Sequence, residues 1–101
     1  MLSKEQILQY LRSIKSDLQK DGITQIGIFG SFAQDRADLL SDIDLVINTT
    51  KTFSENFQNI HAFLYLEQLR EKIKNRFGRE VDIYDKSALK DHHIIDGAIY
   101  A

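Results

Sequence analysis

The sequence predicts an α/β (α+β) domain, a small mixed sheet with helices packed mainly on one face. Three observations carry that prediction. Apolar residues recur at helical spacing near the N-terminus, and three short runs rich in β-branched residues are separated by helical or turn-forming segments. The length of 101 residues suits one modest core, so residues 1–101 are read as a single domain.

The elements follow in order. Over residues 3–20, Ile7, Leu8, Leu11, Ile14 and Leu18 recur at three- and four-residue steps, Ser3 is placed to cap the start, and Gly22 follows the end. ITQIGIF, residues 23–29, reads as a strand stopped by Gly30. A helical turn is expected over residues 31–37. DIDLVIN, residues 42–48, then reads as a second strand, buried on both faces beyond Leu45.

The segment from residue 51 to 78 is helical by length and propensity, yet its apolar residues keep two phases. Phe57, Ile60 and Leu64 fall on one face, whereas Phe63, Leu66, Leu69, Ile73 and Phe77 fall on a nearly opposite one. Two arrangements fit. Either the helix begins near Asn59 and Phe53 and Phe57 lie in a loop folded over the sheet, or the second stripe binds a partner. Gly78 ends the helix, and REVDIYD supplies a third strand with Val81 and Ile83 on one face and Asp82 and Tyr84 on the other. Ser87 is expected to cap a short C-terminal helix, followed by the apolar tail AIYA.

Composition removes several classes of function. The chain is 43% hydrophobic and 28% charged, as soluble domains are, and no apolar run approaches the roughly 20 residues that cross a bilayer. The N-terminus interleaves polar and apolar residues, unlike a secretory signal, so a cytoplasmic location without membrane association is expected. With no cysteine there is neither a disulfide framework nor a thiolate metal site. Thirteen basic against 15 acidic residues give a net charge of −2, and no direct nucleic-acid binding is expected. His61, His92 and His93 lack the spacing of a zinc site.

The stretch GSFAQDRADLLSDIDL, residues 30–45, carries the chemistry. Asp42 and Asp44 are i and i+2 at the mouth of an apolar strand, which places both carboxylates on one face with Cβ atoms about 7 Å apart. Such a pair in a partly apolar setting is held ionised most readily by a divalent cation. Asp82, with apolar neighbours on both sides, offers a third hard oxygen donor from another strand. At the other end, Gly30 and Ser31 follow a strand and precede a helical turn, where backbone N–H groups and a hydroxyl can meet a phosphate.

Gly30-Ser31, ten intervening residues, Asp42-x-Asp44 and the later Asp82 resemble the signature of the polymerase-β-like nucleotidyltransferase superfamily. The fuller string, GSFA through SDIDL, is most similar to the minimal nucleotidyltransferases of prokaryotes. The resemblance implies Mg²⁺-dependent transfer of AMP from ATP to a hydroxyl. In that reaction Asp42, Asp44 and Asp82 would be the catalytic carboxylates and would hold two Mg²⁺ ions. Gly30 and Ser31, with Asp42 and Asp44, would bind the nucleoside triphosphate.

Members of this group are typically the antitoxin of a toxin-antitoxin pair whose partner is a helical HEPN-domain ribonuclease. The resemblance thus implies adenylylation of a tyrosine on that toxin, which neutralises it. Phe57, Ile60, Leu64, Ile99 and Tyr100 are the candidates for the docking surface. Two alternatives keep the same fold: a non-enzymatic antitoxin that blocks its partner by binding, and a small-molecule nucleotidyltransferase of the aminoglycoside-modifying kind. The chain departs from the pattern at Gln34-Asp35, where many relatives carry Arg-Gly. Asp35 is unfavourable near a triphosphate unless it faces away, and Arg36 is a candidate to restore the missing charge.

Overall fold

A computed structural model describes residues 1–101, and the first helix, α1 (Lys4–Lys20), opens on the cap that Ser3 predicts. Ser3 Oγ accepts from the Gln6 amide at 3.3 Å, and Gln6 Oε1 accepts from the Ser3 amide at 2.9 Å, a reciprocal box that satisfies two otherwise orphaned donors. The buried residues Ile7, Leu8, Leu11, Ile14 and Leu18 form its inward stripe.

Strands β1 (Ile23–Phe29) and β2 (Ile43–Thr49) pair antiparallel, and β3 (Val81–Asp85) runs parallel to β2. A parallel pair requires a crossover, which α3 (Lys51–Asn56) and α4 (Ile60–Phe77) supply. A fourth strand, β4 (Ile99–Tyr100), pairs antiparallel with β1, giving the order β3-β2-β1-β4. Alternation along the strands then divides the side chains. Ile26, Ile28, Ile43, Leu45, Ile47 and Val81 pack with α1 and α4 in the main core. Phe29, Val46 and Tyr84 fall on the opposite face, where Ile95 covers them in a smaller cluster.

Several expectations change. The turn after β1 is only α2 (Gly30–Ala33), because Asp35 takes a left-handed φ of 58° that a helix cannot continue through. The long helix begins at Ile60, just after Asn59 as one reading required, but Phe53 lies in α3 and not in a loop. Phe53 is buried, with ring centroids 5.2 Å from Phe57 and 5.3 Å from Tyr65. Phe57 is thereby half-buried in an aromatic cluster and is no longer a docking candidate. Leu69 and Ile73 face the core, whereas Ile60, Phe63 and Leu64 are exposed.

The expected C-terminal helix does not form. Two short 3₁₀ turns take its place, Lys86–Ala88 capped by Asp85 and His92–Ile95 capped by Asp91, so Ser87 lies inside a turn and caps nothing. These turns carry Leu89 and Ile95 back over the second sheet face. The tail is likewise used within the fold: Ile99 packs against the main core and Tyr100 against the smaller cluster, and both are half-buried. Gly27 makes this pairing possible, since a Cβ there would lie 2.4 Å from the Ile99 carbonyl oxygen.

Candidate active site

The sheet register brings two of the three singled-out carboxylates side by side. Asp44, the second residue of β2, pairs across the ladder with Asp82 of β3 on one side and with Phe29, the last residue of β1, on the other. Register partners share a face, so Asp44 and Asp82 both lie on the face opposite the main helices. Asp42 immediately precedes β2 and is exposed, as is Asp82, while Asp44 is half-buried.

The turn after β1 closes over Asp44. Gly30 has a φ of +72°, and a Cβ built there would stand 2.5 Å from Asp44 Oδ2. Glycine is therefore required twice, for backbone angle and for space. Ser31 is half-buried and its hydroxyl meets no donor or acceptor of the chain. Phe29 offers no side chain to cap α2, so the amides that open this turn are not satisfied from that side.

The three carboxylates differ from every other aspartate of the chain. Asp35 meets Lys4, Asp17 meets Lys20, Asp21 meets the Tyr65 hydroxyl, and Asp96 meets His93. Asp38, Asp85 and Asp91 each accept from backbone amides in turns. Asp42, Asp44 and Asp82 alone have neither an ion pair nor a hydrogen bond. Burial, then the neighbouring charges of Asp82 and Asp42, push the Asp44 carboxyl above the ordinary carboxylate range.

Hard oxygen donors of one sign, with no counter-charge in the protein, suit a divalent cation in charge and in chemistry. They do not form a closed cage, because no group of three or more possible ligands is gathered tightly enough to hold an ion. An open arrangement leaves most of a cation's coordination to water and to substrate oxygens, as Mg²⁺ sites commonly do.

The departure from the family pattern is also placed. Asp35 turns its carboxylate to Lys4 Nζ of α1 at 2.9 Å, and Arg36 donates to the Gln34 side-chain oxygen. Both charges are thus engaged locally, Asp35 by Lys4 and Arg36 by Gln34.

One residue near the site escaped the sequence reading. Arg79 Nη1 donates to the Ser41 carbonyl at 2.8 Å and to the Asp38 carbonyl at 3.1 Å, and its guanidinium lies 5.4 Å from the centre of the Phe32 ring. Nothing in a single arginine before a strand signals this role in sequence.

A mixed sheet with this Gly-Ser turn and these carboxylates belongs to a known class, and residues 6–101 match the profile of the nucleotidyltransferase domain. The chain is 32% identical over 91 residues to a protein adenylyltransferase, MntA, of Thermococcus cleftensis, covering 89% of this chain and 84% of that protein. A solved structure assigned as a minimal nucleotidyltransferase superposes with a TM-score of 0.71 over 97% of this chain and 95% of its own, at 21% identity, a likeness of fold. The class is nucleotidyltransferase. Within it, the chain belongs to the minimal nucleotidyltransferase family, with the polymerase-β-like fold.

Proposed function

We propose that this nucleotidyltransferase moves AMP from ATP to a hydroxyl of a protein, a tyrosine on a HEPN-domain ribonuclease toxin that it neutralises as the antitoxin. The observation that carries the reading is the set of partnerless carboxylates, Asp42, Asp44 and Asp82, beside the Gly30–Ser31 turn. Similarity to a protein adenylyltransferase supports a protein as acceptor.

In this reading Asp42, Asp44 and Asp82 are the residues that would hold two Mg²⁺ ions. When bound, such ions neutralise the charge that builds on the phosphate oxygens and the leaving pyrophosphate. The chain's own part is positional. Gly30 lets the backbone approach the phosphates without a side chain intervening, and the Ser31 hydroxyl and nearby amides orient them. Asp82 would accept a proton from an arriving hydroxyl, a role that its exposure on the edge strand supports.

Incubation with α-labelled ATP, Mg²⁺ and the purified partner tests the whole reading. A labelled partner tyrosine, lost on Asp44→Asn, is the expected result. Neutralisation of the partner that persists unlabelled in that variant would mean a binding antitoxin, and label on a small aminoglycoside-like acceptor alone would mean the small-molecule enzyme.

A further inference from the structure

Asp42 has no side-chain partner, so its carboxylate is placed only by the backbone on either side of it. Both sides are held by one short segment. The Ser41 carbonyl accepts from Arg79 Nη1 at 2.8 Å, and the Ile43 amide donates to the Glu80 carbonyl at 2.9 Å. Two consecutive residues leading into β3 thus grip the chain immediately before and immediately after Asp42.

Arg79 reaches further than its neighbour. The loop it grips is folded on itself: Asp38 Oδ1 accepts from the Leu40 amide at 2.8 Å, and Ser41 Oγ accepts from the Asp38 amide at 2.9 Å. That turn aligns the carbonyls of Asp38 and Ser41 toward one guanidinium nitrogen. The guanidinium carbon also lies 5.4 Å from the ring centre of Phe32, a buried residue of α2, two positions beyond Gly30. Arg79 itself leads into the strand that carries Asp82. One side chain therefore connects the segments that bear Gly30–Ser31, Asp42 and Asp82.

The chemistry of the contact matters. Arg79 forms no ion pair, so its charge is directed at two carbonyl oxygens and an aromatic face. A planar fork serves both tasks at once, whereas a lysine ammonium can reach a carbonyl but has no plane to lay on a ring. We infer that Arg79 is the positioning residue of the active site, fixing Asp42 relative to the Gly30–Ser31 turn and to Asp82. The inference rests on the role given to Asp42 above. Groups that orient ligating carboxylates commonly change metal affinity or activity about 10- to 100-fold when removed.

The test compares Arg79→Met, which keeps an apolar stem, with Arg79→Lys in the full chain. Three measurements are made: Mn²⁺ affinity from the EPR signal of the free ion, kcat and KM for ATP with the partner, and amide hydrogen exchange over residues 38–43. Arg79→Met is expected to weaken Mn²⁺ binding and lower kcat by about 10-fold or more with a smaller change in KM. Exchange should speed up over residues 38–43 while α1 keeps its protection, and Arg79→Lys should restore only part of each loss. Unchanged Mn²⁺ affinity in folded Arg79→Met overturns the inference, as does a kcat loss explained wholly by an unfolded fraction. Should Arg79→Met not fold, Phe32→Leu removes the ring beside the guanidinium and must shift Mn²⁺ affinity in the same direction, or the inference falls. If the wild type transfers no nucleotide, the enzymatic reading fails, and Mn²⁺ affinity with exchange decides the role of Arg79 alone.

Discussion

Gly30 lies directly over Asp44, so close that a Cβ on the glycine would stand 2.5 Å from the carboxylate oxygen. The turn and the carboxylate therefore share one space. Gly30→Ala must both relax a φ of +72° and move Asp44. The expected cost is about 1–3 kcal/mol of stability, together with a loss of transfer on the order of 100-fold. Thermal melts and transfer rates on the same preparation separate the two effects.

Asp44→Asn should stabilise the metal-free protein while abolishing transfer. Burial and the charges of Asp82 and Asp42 raise the Asp44 carboxyl, so its ionised form is disfavoured in the folded state. By linkage, the stability is present below the ordinary value of 3.8 and lost as pH rises through the raised value. The asparagine variant escapes that loss. Its advantage at neutral pH is a small rise in Tm, because the group is partly exposed and screened by water. It should vanish in acid, where wild-type Asp44 is protonated in both states, and a series of melts across pH measures it.

Asp38 should behave in the opposite sense. The Leu40 amide and the Ser41 hydroxyl hold its carboxyl below the ordinary range. A depressed carboxyl contributes stability above its ordinary value of 3.8 that is lost as pH falls through the folded value. Asp38→Asn keeps an acceptor for the turn and removes the titration. Wild type should therefore lose its Tm advantage over this variant on acidification, whereas Asp44→Asn loses its advantage over wild type.

Asp35→Gly should leave transfer unchanged. The residue pairs with Lys4 and adopts a φ of 58°, a conformation that glycine takes without strain. Losing an exposed ion pair costs little, and relief of a left-handed backbone offsets part of it, so Tm should hardly change. A fall in rate beyond any change in folded fraction would place Asp35 in the site after all.

The parts of the fold legible in sequence were those with strong local signals. Ser3 and the spacing of Ile7, Leu8, Leu11, Ile14 and Leu18 announced the first helix, and the apolar runs around Ile26 and Val46 announced their strands. The carboxylates could be singled out because charge at the mouth of an apolar strand is locally costly. The register that sets Asp44 beside Asp82 could not, because it depends on the long crossover through α3 and α4. The two-residue strand β4 was hidden by its shortness, although Gly27 inside an apolar strand was a readable sign that another backbone comes close. The aromatic cluster of Phe53, Phe57 and Tyr65 drew Phe57 inward while Ile60 and Leu64 stayed exposed, a split that helical periodicity alone cannot anticipate.

In the proposed reaction the three partnerless aspartates would also set how ligands influence one another. A free triphosphate meets only repulsion from Asp42, Asp44 and Asp82, and a lone cation finds an unfinished coordination shell. Each supplies what the other lacks, so each should raise the other's affinity by the same factor, a reciprocity that follows from closing a thermodynamic cycle. This chain would then discriminate sharply between free ATP and its magnesium complex, with nucleotide affinity that follows the concentration of divalent ion in its surroundings.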